Sequence, residues 1–268
     1  MAVTVSRLFY YPLKSGRRIE TQELEITPTG AAGDRIFMVV DETGELISQR
    51  EVPALALVES RDVIAACEST GNVVDVKLHS WRGEGEDQGD LVAAQLSAQL
   101  GMAVRVVRFP DDFQRRTSRG EGVAVYQDGY PITVTSQASL EQLGQWLGET
   151  LPIERFRPNI LLAGLETPFE EDDILSIRAG EVELDFVKLC GRCVMTTIDQ
   201  DTGEKGREPL RELGKRRVLP QLGGGQEIMF AVNAVPRTTG TIRVGDEVVI
   251  ERADRPYAER VTSGEFRG

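Results

Sequence analysis

The chain is divided into short segments of strand length, and this spacing limits the folds that are open to it. Residues 3–11 are rich in β-branched and aromatic side chains and end at Pro12, while residues 73–78 alternate between apolar and polar. Further segments of this kind lie at residues 36–40, 46–48, 131–135, 159–163, 181–189, 194–198, 228–233, 241–244 and 247–250. Such a series of short segments predicts a mainly β protein.

Three helices are predicted between the strands. Residues 90–100 follow a polar stretch, 83–90, that we interpret as a loop. Ser136 is suited to cap a helix that runs to Leu147, because apolar side chains repeat there at three- and four-residue steps. Residues 209–217 form the third helix. The expected fold class is therefore mainly β with a few helices, in two barrel-like units.

The charged stretch at residues 109–121 has little apolar content, and we interpret it as a connection between two halves. A chain of 268 residues is long enough for two modest domains. The expected domains are residues 1–108 and 122–268.

The charge balance excludes some partners. With 31 Lys and Arg against 43 Asp and Glu, the net charge is −12, which disfavours nucleic acid and anionic membranes. No apolar run has the length of a membrane span, and the three cysteines suit a reducing cytoplasm. Basic residues nevertheless cluster at Lys14, Arg17 and Arg18; Arg105, Arg108, Arg115, Arg116 and Arg119; Arg155 and Arg157; and Lys215, Arg216 and Arg217. Local clusters suit a small anion such as a phosphate, although ordinary surface arginines explain any single one.

Histidine chemistry has little to work with in this sequence. The chain contains one histidine, His79, which disfavours sites built on clustered histidine ligands and most Ser-His-Asp arrangements. His79 ends an alternating segment beside a polar stretch, and we interpret it as a surface or structural residue.

The pair Cys190 and Cys193 is the main candidate for chemistry. A zinc site that used this pair as two of its ligands would need a second pair of ligands, but Cys67 is the one other cysteine in the sequence. A redox pair of the thioredoxin type would need a strand followed by a helix, whereas residues 194–198 predict a strand. A single thiolate that binds a soft metal stays open, and Arg192 would favour its deprotonated form.

The residues around this pair resemble a known signature. Residues 188–203, KLCGRCVMTTIDQDTG, and residues 208–210, EPL, resemble the motif of MOSC domains. Four further motifs agree with this resemblance: YPLKSG at 11–16, GDR at 33–35, RFRPN at 155–159 and TIRVGD at 241–246. The chain is identified as a member of the MOSC superfamily, most similar to the branch of the mitochondrial amidoxime-reducing component and its bacterial relatives. The resemblance implies a MOSC N-terminal β-barrel domain followed by a MOSC domain.

The resemblance also implies a pterin-based molybdenum cofactor between the two domains. Cys193 would be the catalytic residue and the protein's ligand to the metal, whereas Cys190 would have no ligand role. The residues expected to hold the anionic cofactor are Lys14, Ser15, Arg35, Arg157, Asn159 and Arg192. We add Ser136 on physical grounds, because a helix start offers N–H groups to a phosphate. Pyridoxal phosphate is not expected, and no cysteine follows Cys193, so an iron–sulfur cluster is not expected either.

The implied reaction is a two-electron reduction of N-hydroxylated compounds. The expected electron donor is a separate flavin or iron–sulfur reductase, and the expected location is the cytoplasm. An alternative stays open, in which the protein carries the cofactor or transfers sulfur without reductase turnover. Residues 218–226, including Leu219 and Leu222, are expected to lie over the metal and select the substrate.

Overall fold

The computed structural model describes residues 2–112, 114–117 and 122–264. Parts of the predicted connection, residue 113 and residues 118–121 with Arg119, lie outside the described residues, as do residues 265–268.

The described residues form strands and helices in the following order. The strands are β1 (Thr4–Tyr10), β2 (Ile19–Thr21), β3 (Glu23–Thr27), β4 (Gly30–Ala31), β5 (Phe37–Val40), β6 (Val73–Leu78), β7 (Trp81–Asp87), β8 (Arg105–Arg108), β9 (Arg115–Arg116), β10 (Val123–Ala124), β11 (Ile132–Ser136), β12 (Ile160–Ala163), β13 (Ile174–Ala179), β14 (Val182–Gly191), β15 (Val218–Pro220), β16 (Gln226–Pro236), β17 (Gly240–Arg243) and β18 (Val248–Arg252). The α-helices are α1 (Ser60–Ala66), α2 (Asp90–Leu100), α3 (Gln137–Leu147), α4 (Leu210–Arg216) and α5 (Tyr257–Thr262). Short 3₁₀ helices lie at Pro53–Leu57, Ile153–Phe156, Glu170–Asp173 and Val194–Thr197.

The largest sheet combines the two ends of the sequence. Its strand order is β18-β13-β14-β16-β11-β12-β1-β2, and β15 pairs with β16 beside this path. Its pairs are antiparallel except β11 with β12. Smaller sheets have the orders β17-β3-β4 and β5-β8-β7-β6. The mainly β class with a few helices is confirmed. The first four strands pair into sheets with the second half, and the domain boundaries stay a prediction.

The end of β1 leads the chain from one core to another. Leu8 belongs to the core cluster of the largest sheet, while Phe9 and Tyr11 pack with the side chains of α3 and β16. Leu13 packs instead in the cluster beneath the sheet of β5 and β8. Since alternate residues of a strand face opposite sides, this segment is fixed by burial in three clusters. The residues that follow it, Lys14 and Ser15, are consequently held at the junction.

Three local predictions were wrong. Residues 46–48 were expected to form a strand and instead contribute Leu46 to an isolated bridge with Val40. The segment predicted as a loop at residues 83–90 forms most of β7, which pairs with β6 through a tight turn at His79. Its glycines are required by close packing, because a Cβ at Gly85 would lie 2.9 Å from Val107 Cβ. Residues 194–198 form a 3₁₀ helix instead of a strand, since the Thr196 and Thr197 hydroxyls donate to backbone carbonyls three residues earlier. These outcomes depend on contacts that periodicity does not encode.

Helices α2 and α3 agree with the sequence. Helix α2 has the predicted bounds, and the Ser136 hydroxyl accepts a hydrogen bond from the Ser139 N–H at the start of α3. In the part of the chain that the structure describes, no helix is both long enough and apolar enough to cross a membrane.

Candidate functional site

A cavity of about 430 Å³ lies at the junction of the two halves. The first half contributes residues 14, 15, 35 and 50, and the second contributes residues from 127–133, 155–159 and 188–196 together with 227 and 233. Its basic lining residues are Lys14, Arg35, Arg50, Arg155, Arg157, Lys188 and Arg192, and its acidic ones are Asp128 and Glu227. The lining is strongly cationic although the chain carries a net charge of −12.

Two arginines of this cavity, one from each half, lie over the same aromatic ring. The guanidinium carbons of Arg35 and Arg157 each lie 4.2 Å from the centroid of the Tyr11 ring. Arg35 is fixed by the Asp34 carboxylate at 2.6 Å and by the Arg157 carbonyl at 3.0 Å, while Arg157 Nη1 donates to the Gly16 carbonyl at 2.8 Å. Both arginines adopt the left-handed backbone conformation. The two cations are therefore positioned before any ligand arrives.

Several guanidinium N–H groups in this cavity have no hydrogen-bond partner among the residues that the structure describes. Within residues 2–112, 114–117 and 122–264, Arg155 Nε, Arg157 Nη2 and Arg192 Nη2 are buried without a hydrogen bond. Burial, with a smaller contribution from the charge of Arg35, lowers the pKa of Arg157 to about 10. Unsatisfied buried donors destabilise a fold, so these groups are suited to an anion that satisfies them.

A buried lysine lies on the wall of the cavity. Lys14 Nζ donates to the Tyr126 carbonyl at 2.7 Å and to Asp128 Oδ1 at 2.5 Å. Burial lowers the pKa of Lys14 to about 8, although Asp128 acts against this shift. Desolvation alone would raise the pKa of Asp128. The charge of Lys14, the hydrogen bond from His79 and the charge of Arg50 outweigh this effect and hold that pKa well below its usual range. Lys14 is thus a cation that can lose its proton near neutral pH.

Cys193 begins the 3₁₀ helix at Val194–Thr197 and lies half-buried in the cavity wall. Its neighbour Arg192 is fixed, because Nε donates to the Phe230 carbonyl at 2.7 Å and Nη1 to the Phe156 carbonyl at 3.0 Å. Arg50 lies beside Cys193 and interacts with it. Desolvation alone would lower the pKa of Arg50, but the interactions with Asp128 and Cys193 outweigh this effect and raise that pKa. Among the described residues, no group of three or more His, Cys, Asp and Glu side chains could hold a metal. A metal at Cys193 would therefore need further ligands from a bound group.

The structure brings most of the sequence-predicted site residues together. The residues that line this one cavity are Lys14, Ser15, Arg35, Arg157, Asn159, Arg192 and Cys193. Asn159 also joins strands, since its Oδ1 accepts from Thr133 N at 3.1 Å and its Nδ2 donates to the Phe9 carbonyl at 3.3 Å. The Ser15 hydroxyl accepts from Gln49 N at 3.3 Å.

Ser136 is the exception and requires a correction. It does not line the cavity, and its N–H and hydroxyl donate to the Glu171 carboxylate at 3.2 and 2.9 Å. Glu171 is fully buried and occupies the start of α3, the place where a phosphate was expected. A carboxylate of the protein therefore already accepts hydrogen bonds from the Ser136 N–H and from the Ser136 and Ser139 hydroxyls at this helix start.

Sequence reasoning missed other lining residues. Lys188 is the first residue of the motif at 188–203 but received no role in the sequence analysis. The other missed residues belong to none of the motifs, and the tertiary fold brings them to the cavity: Arg50, Asp128, Glu227 and Asn233. Residues 218–226 were expected to lie over the metal, but none of them lines the cavity. Leu219 and Leu222 do not line the cavity, and Leu219 packs against the core of the largest sheet. Glu227, paired with Leu219 in the β15–β16 hairpin, does line it.

Comparison with known proteins gives matches over nearly the whole chain. Residues 2–103 match the model of the MOSC N-terminal beta barrel domain, and residues 121–249 match the MOSC domain. Mitochondrial amidoxime-reducing component 1 of Mus musculus is 31% identical over 92% of this chain and 82% of its own length. Mitochondrial amidoxime reducing component 2 of Rattus norvegicus is 33% identical over 91% of this chain and 82% of its own length. The crystal structure of the YUAD protein from Bacillus subtilis superposes with a TM-score of 0.49 at 10% identity, covering 95% of this chain and 98% of that one.

Proposed function

The chain belongs to the MOSC family, and from this premise we propose that it binds a molybdenum cofactor and reduces N-hydroxylated compounds with electrons from a separate donor protein. The similarity to amidoxime-reducing components supports the reaction class. One observation carries the proposal: the half-buried Cys193 lines the same cavity as arginines whose buried N–H groups have no hydrogen-bond partner among the described residues. The proposed donor is a flavin or iron–sulfur reductase, and the cytoplasmic location stays a prediction.

The residues of the cavity fit an anionic, sulfur-rich cofactor. Arg155, Arg157 and Arg192 each have a buried N–H group that a phosphate or pterin oxygen would satisfy. Cys193 would supply one thiolate to the metal, and the dithiolene of the pterin would supply further sulfur ligands, which suits a soft metal. When bound, the cofactor supplies the two-electron redox change.

The protein's own residues would bind, orient and supply protons. Arg35 and Arg157 hold their charges on either side of the domain junction, so an anion between them joins the two halves. Ser15 and Asn159 contribute polar atoms whose positions are fixed by backbone hydrogen bonds. Lys14, whose pKa is lowered to about 8 by burial, can release a proton at neutral pH.

The test is to express the protein in a host with intact cofactor biosynthesis and measure its molybdenum and pterin content. Benzamidoxime reduction is then assayed with a chemical electron donor. Metal together with turnover is the expected result. Bound pterin without turnover would favour the carrier alternative, and protein from a loaded host with neither metal nor pterin would contradict the proposal.

Glu227 predicts a preference among substrates. A Cβ on Gly191 would lie 2.5 Å from Glu227 Oε2, which places the carboxylate against the segment that carries Cys193, and Lys188 Nζ lies 3.7 Å from the same oxygen. Glu227→Gln is expected to lower kcat/KM for a cationic N-hydroxyguanidine by about fivefold, because a part-exposed ion pair contributes about 1 kcal/mol to binding. A neutral hydroxamic acid should be unaffected.

The matched control is Glu149→Gln, which changes an exposed carboxylate outside the cavity lining. Equal losses for the cationic and the neutral substrate in Glu227→Gln would show that Glu227 supports the fold of the hairpin and does not select charge.

A further inference from the structure

The wall of the cofactor cavity is shared with a second pocket. This pocket has a volume of about 380 Å³, and Arg50 and Asp128 line both spaces. The second pocket also contains His79, Glu45 and Glu51. His79 lies in the turn between β6 and β7, where its backbone φ is 54°, and its side chain is 42% exposed. Arg50 and Asp128 therefore lie between an accessible imidazole and the cavity that contains Cys193.

The hydrogen bonds across this wall are continuous. His79 Nε2 lies 3.2 Å from Asp128 Oδ1, and Lys14 Nζ lies 2.5 Å from the same oxygen. Arg50 Nη2 donates to Asp128 Oδ2 at 3.0 Å, and its Nη1 lies 3.5 Å from His79 Nε2. Because the nearer partner of Nε2 is a carboxylate, the tautomer protonated at Nε2 is favoured.

We propose that His79 takes up protons from solvent and passes them through Asp128 to Lys14, which delivers them to the reducing site. This proposal rests on the proposed function. Reduction of R–NHOH breaks the N–O bond with two electrons from the donor protein, and one proton goes to nitrogen while the other leaves with oxygen as water. Lys14 gives up a proton to the departing oxygen, and Asp128 Oδ1 transfers a replacement to it from the His79 imidazolium.

The other groups in the wall are poorly suited to this task. Arg50 stays protonated at all relevant pH values, so it can orient Asp128 but cannot exchange a proton. Glu51 is engaged by the Ser48 backbone N–H and hydroxyl, and Glu45 pairs with Lys77 at 2.5 Å. Burial lowers the pKa of Lys14 to about 8, which supports its release of a proton near neutrality. Among the groups that line the second pocket, His79 combines an exposed imidazole with a direct contact to Asp128.

The first test uses the single histidine of the chain. Protein prepared without a histidine tag gives the ¹⁵N signals of one imidazole, which report its tautomer directly. In the cofactor-free protein, Asp128→Asn is expected to shift the tautomer population away from Nε2–H, whereas Asp62→Asn on the exposed face of α1 should not. An unchanged tautomer in Asp128→Asn would overturn the proposal.

The second test is kinetic and uses the loaded enzyme. His79→Gln and His79→Asn remove the imidazole, and asparagine also tolerates the left-handed backbone of this turn. Both variants should lower kcat about tenfold with little change in KM. This loss is smaller than the full contribution of a positioned acid or base, because His79 acts through Asp128 and Lys14. Added imidazole should restore turnover in His79→Ala, because the site is exposed.

The failure of the relay is distinguishable from that of the proposed function. Active wild-type protein together with unaltered kcat and pH profile in both His79 variants would overturn the relay alone. A loss that imidazole does not restore would also overturn it, since a structural role would produce that result. Loaded wild-type protein that reduces no N-hydroxylated compound would overturn the proposed function, and the catalytic role of the relay with it.

Discussion

Cys193→Ser is expected to abolish turnover of N-hydroxylated substrates and to remove most of the bound molybdenum. Cys193 is half-buried in the cavity wall, and the described residues provide no cluster of ligands that could replace it. Removing an outer-shell partner of a metal ligand already costs about 10- to 100-fold in affinity or activity, so removal of the ligand itself should exceed about 100-fold. The measurement is molybdenum content beside kcat/KM for benzamidoxime.

Cys190→Ser provides the matched control. Cys190 is free, lies three residues away and lines the same cavity, so the chemical change is identical. This variant should retain metal and turnover. Equal losses in both variants would show that either substitution disturbs the loop, and full metal content in Cys193→Ser would exclude Cys193 as the ligand. Thermal unfolding of the cofactor-free variants separates these cases, because an intact fold should unfold as the wild type does.

Most of the site was predictable because the chemistry is encoded in local motifs. Cys193, Arg157 and Lys14 each belong to a short run of sequence that resembles the family, and the fold gathers these runs at one cavity. Arg50 and Asp128 come from turns, and no spacing in the sequence relates them to Cys193. Their positions follow from strand pairing and from burial of neighbouring apolar side chains.

Ser136 shows what can and cannot be predicted from neighbouring residues in the sequence. Its role as a helix cap was predicted from residue type and is confirmed by the bond from Ser139 N. Its role as an anion site depended on whether another acceptor occupies the helix start. That acceptor is Glu171, which is 35 residues away in sequence and fully buried. Polar atoms at helix ends must be satisfied, and only the tertiary structure identifies the group that satisfies them.

The partners of the first strand could not be predicted from the sequence either, because they also depend on the tertiary structure. Residues 3–11 predicted a strand, and β1 occupies Thr4–Tyr10. Its partners, β12 and β2, lie on opposite edges, and β12 comes from the second half of the chain. This pairing places Tyr11 beneath Arg35 and Arg157, and hence fixes the geometry of the cavity. Hydrophobic periodicity identifies a strand but not its neighbour.

Arg157→Met is expected to separate cofactor binding from stability. Burial lowers the pKa of Arg157 to about 10, which corresponds to about 3 kcal/mol of unfavourable free energy for keeping it charged. A base whose pKa is lower in the folded than in the unfolded state destabilises the fold while it is protonated. This penalty is therefore complete below about pH 10 and is lost only at higher pH. An anion that satisfies Arg157 Nη2 should offset it.

The expected result has two parts. The molybdenum content of Arg157→Met should fall about tenfold or more, because the variant loses one or two charge-assisted hydrogen bonds to the cofactor. Without any anion, the Tm of the cofactor-free variant should stay near that of the wild type. Removal of the buried charge offsets the lost bond to the Gly16 carbonyl and the lost contact with Tyr11.

Pyrophosphate measures the difference between the two proteins. It should raise the Tm of the cofactor-free wild type by several degrees, because a ligand at 100 times its Kd stabilises the folded state by about 2.7 kcal/mol. The rise should disappear in Arg157→Met and persist in Arg178→Met, which removes an exposed arginine of β13. Equal rises in all three proteins would place the anion elsewhere. A large fall in the Tm of Arg157→Met without anion would mean that its hydrogen bond and ring contact outweigh the buried charge.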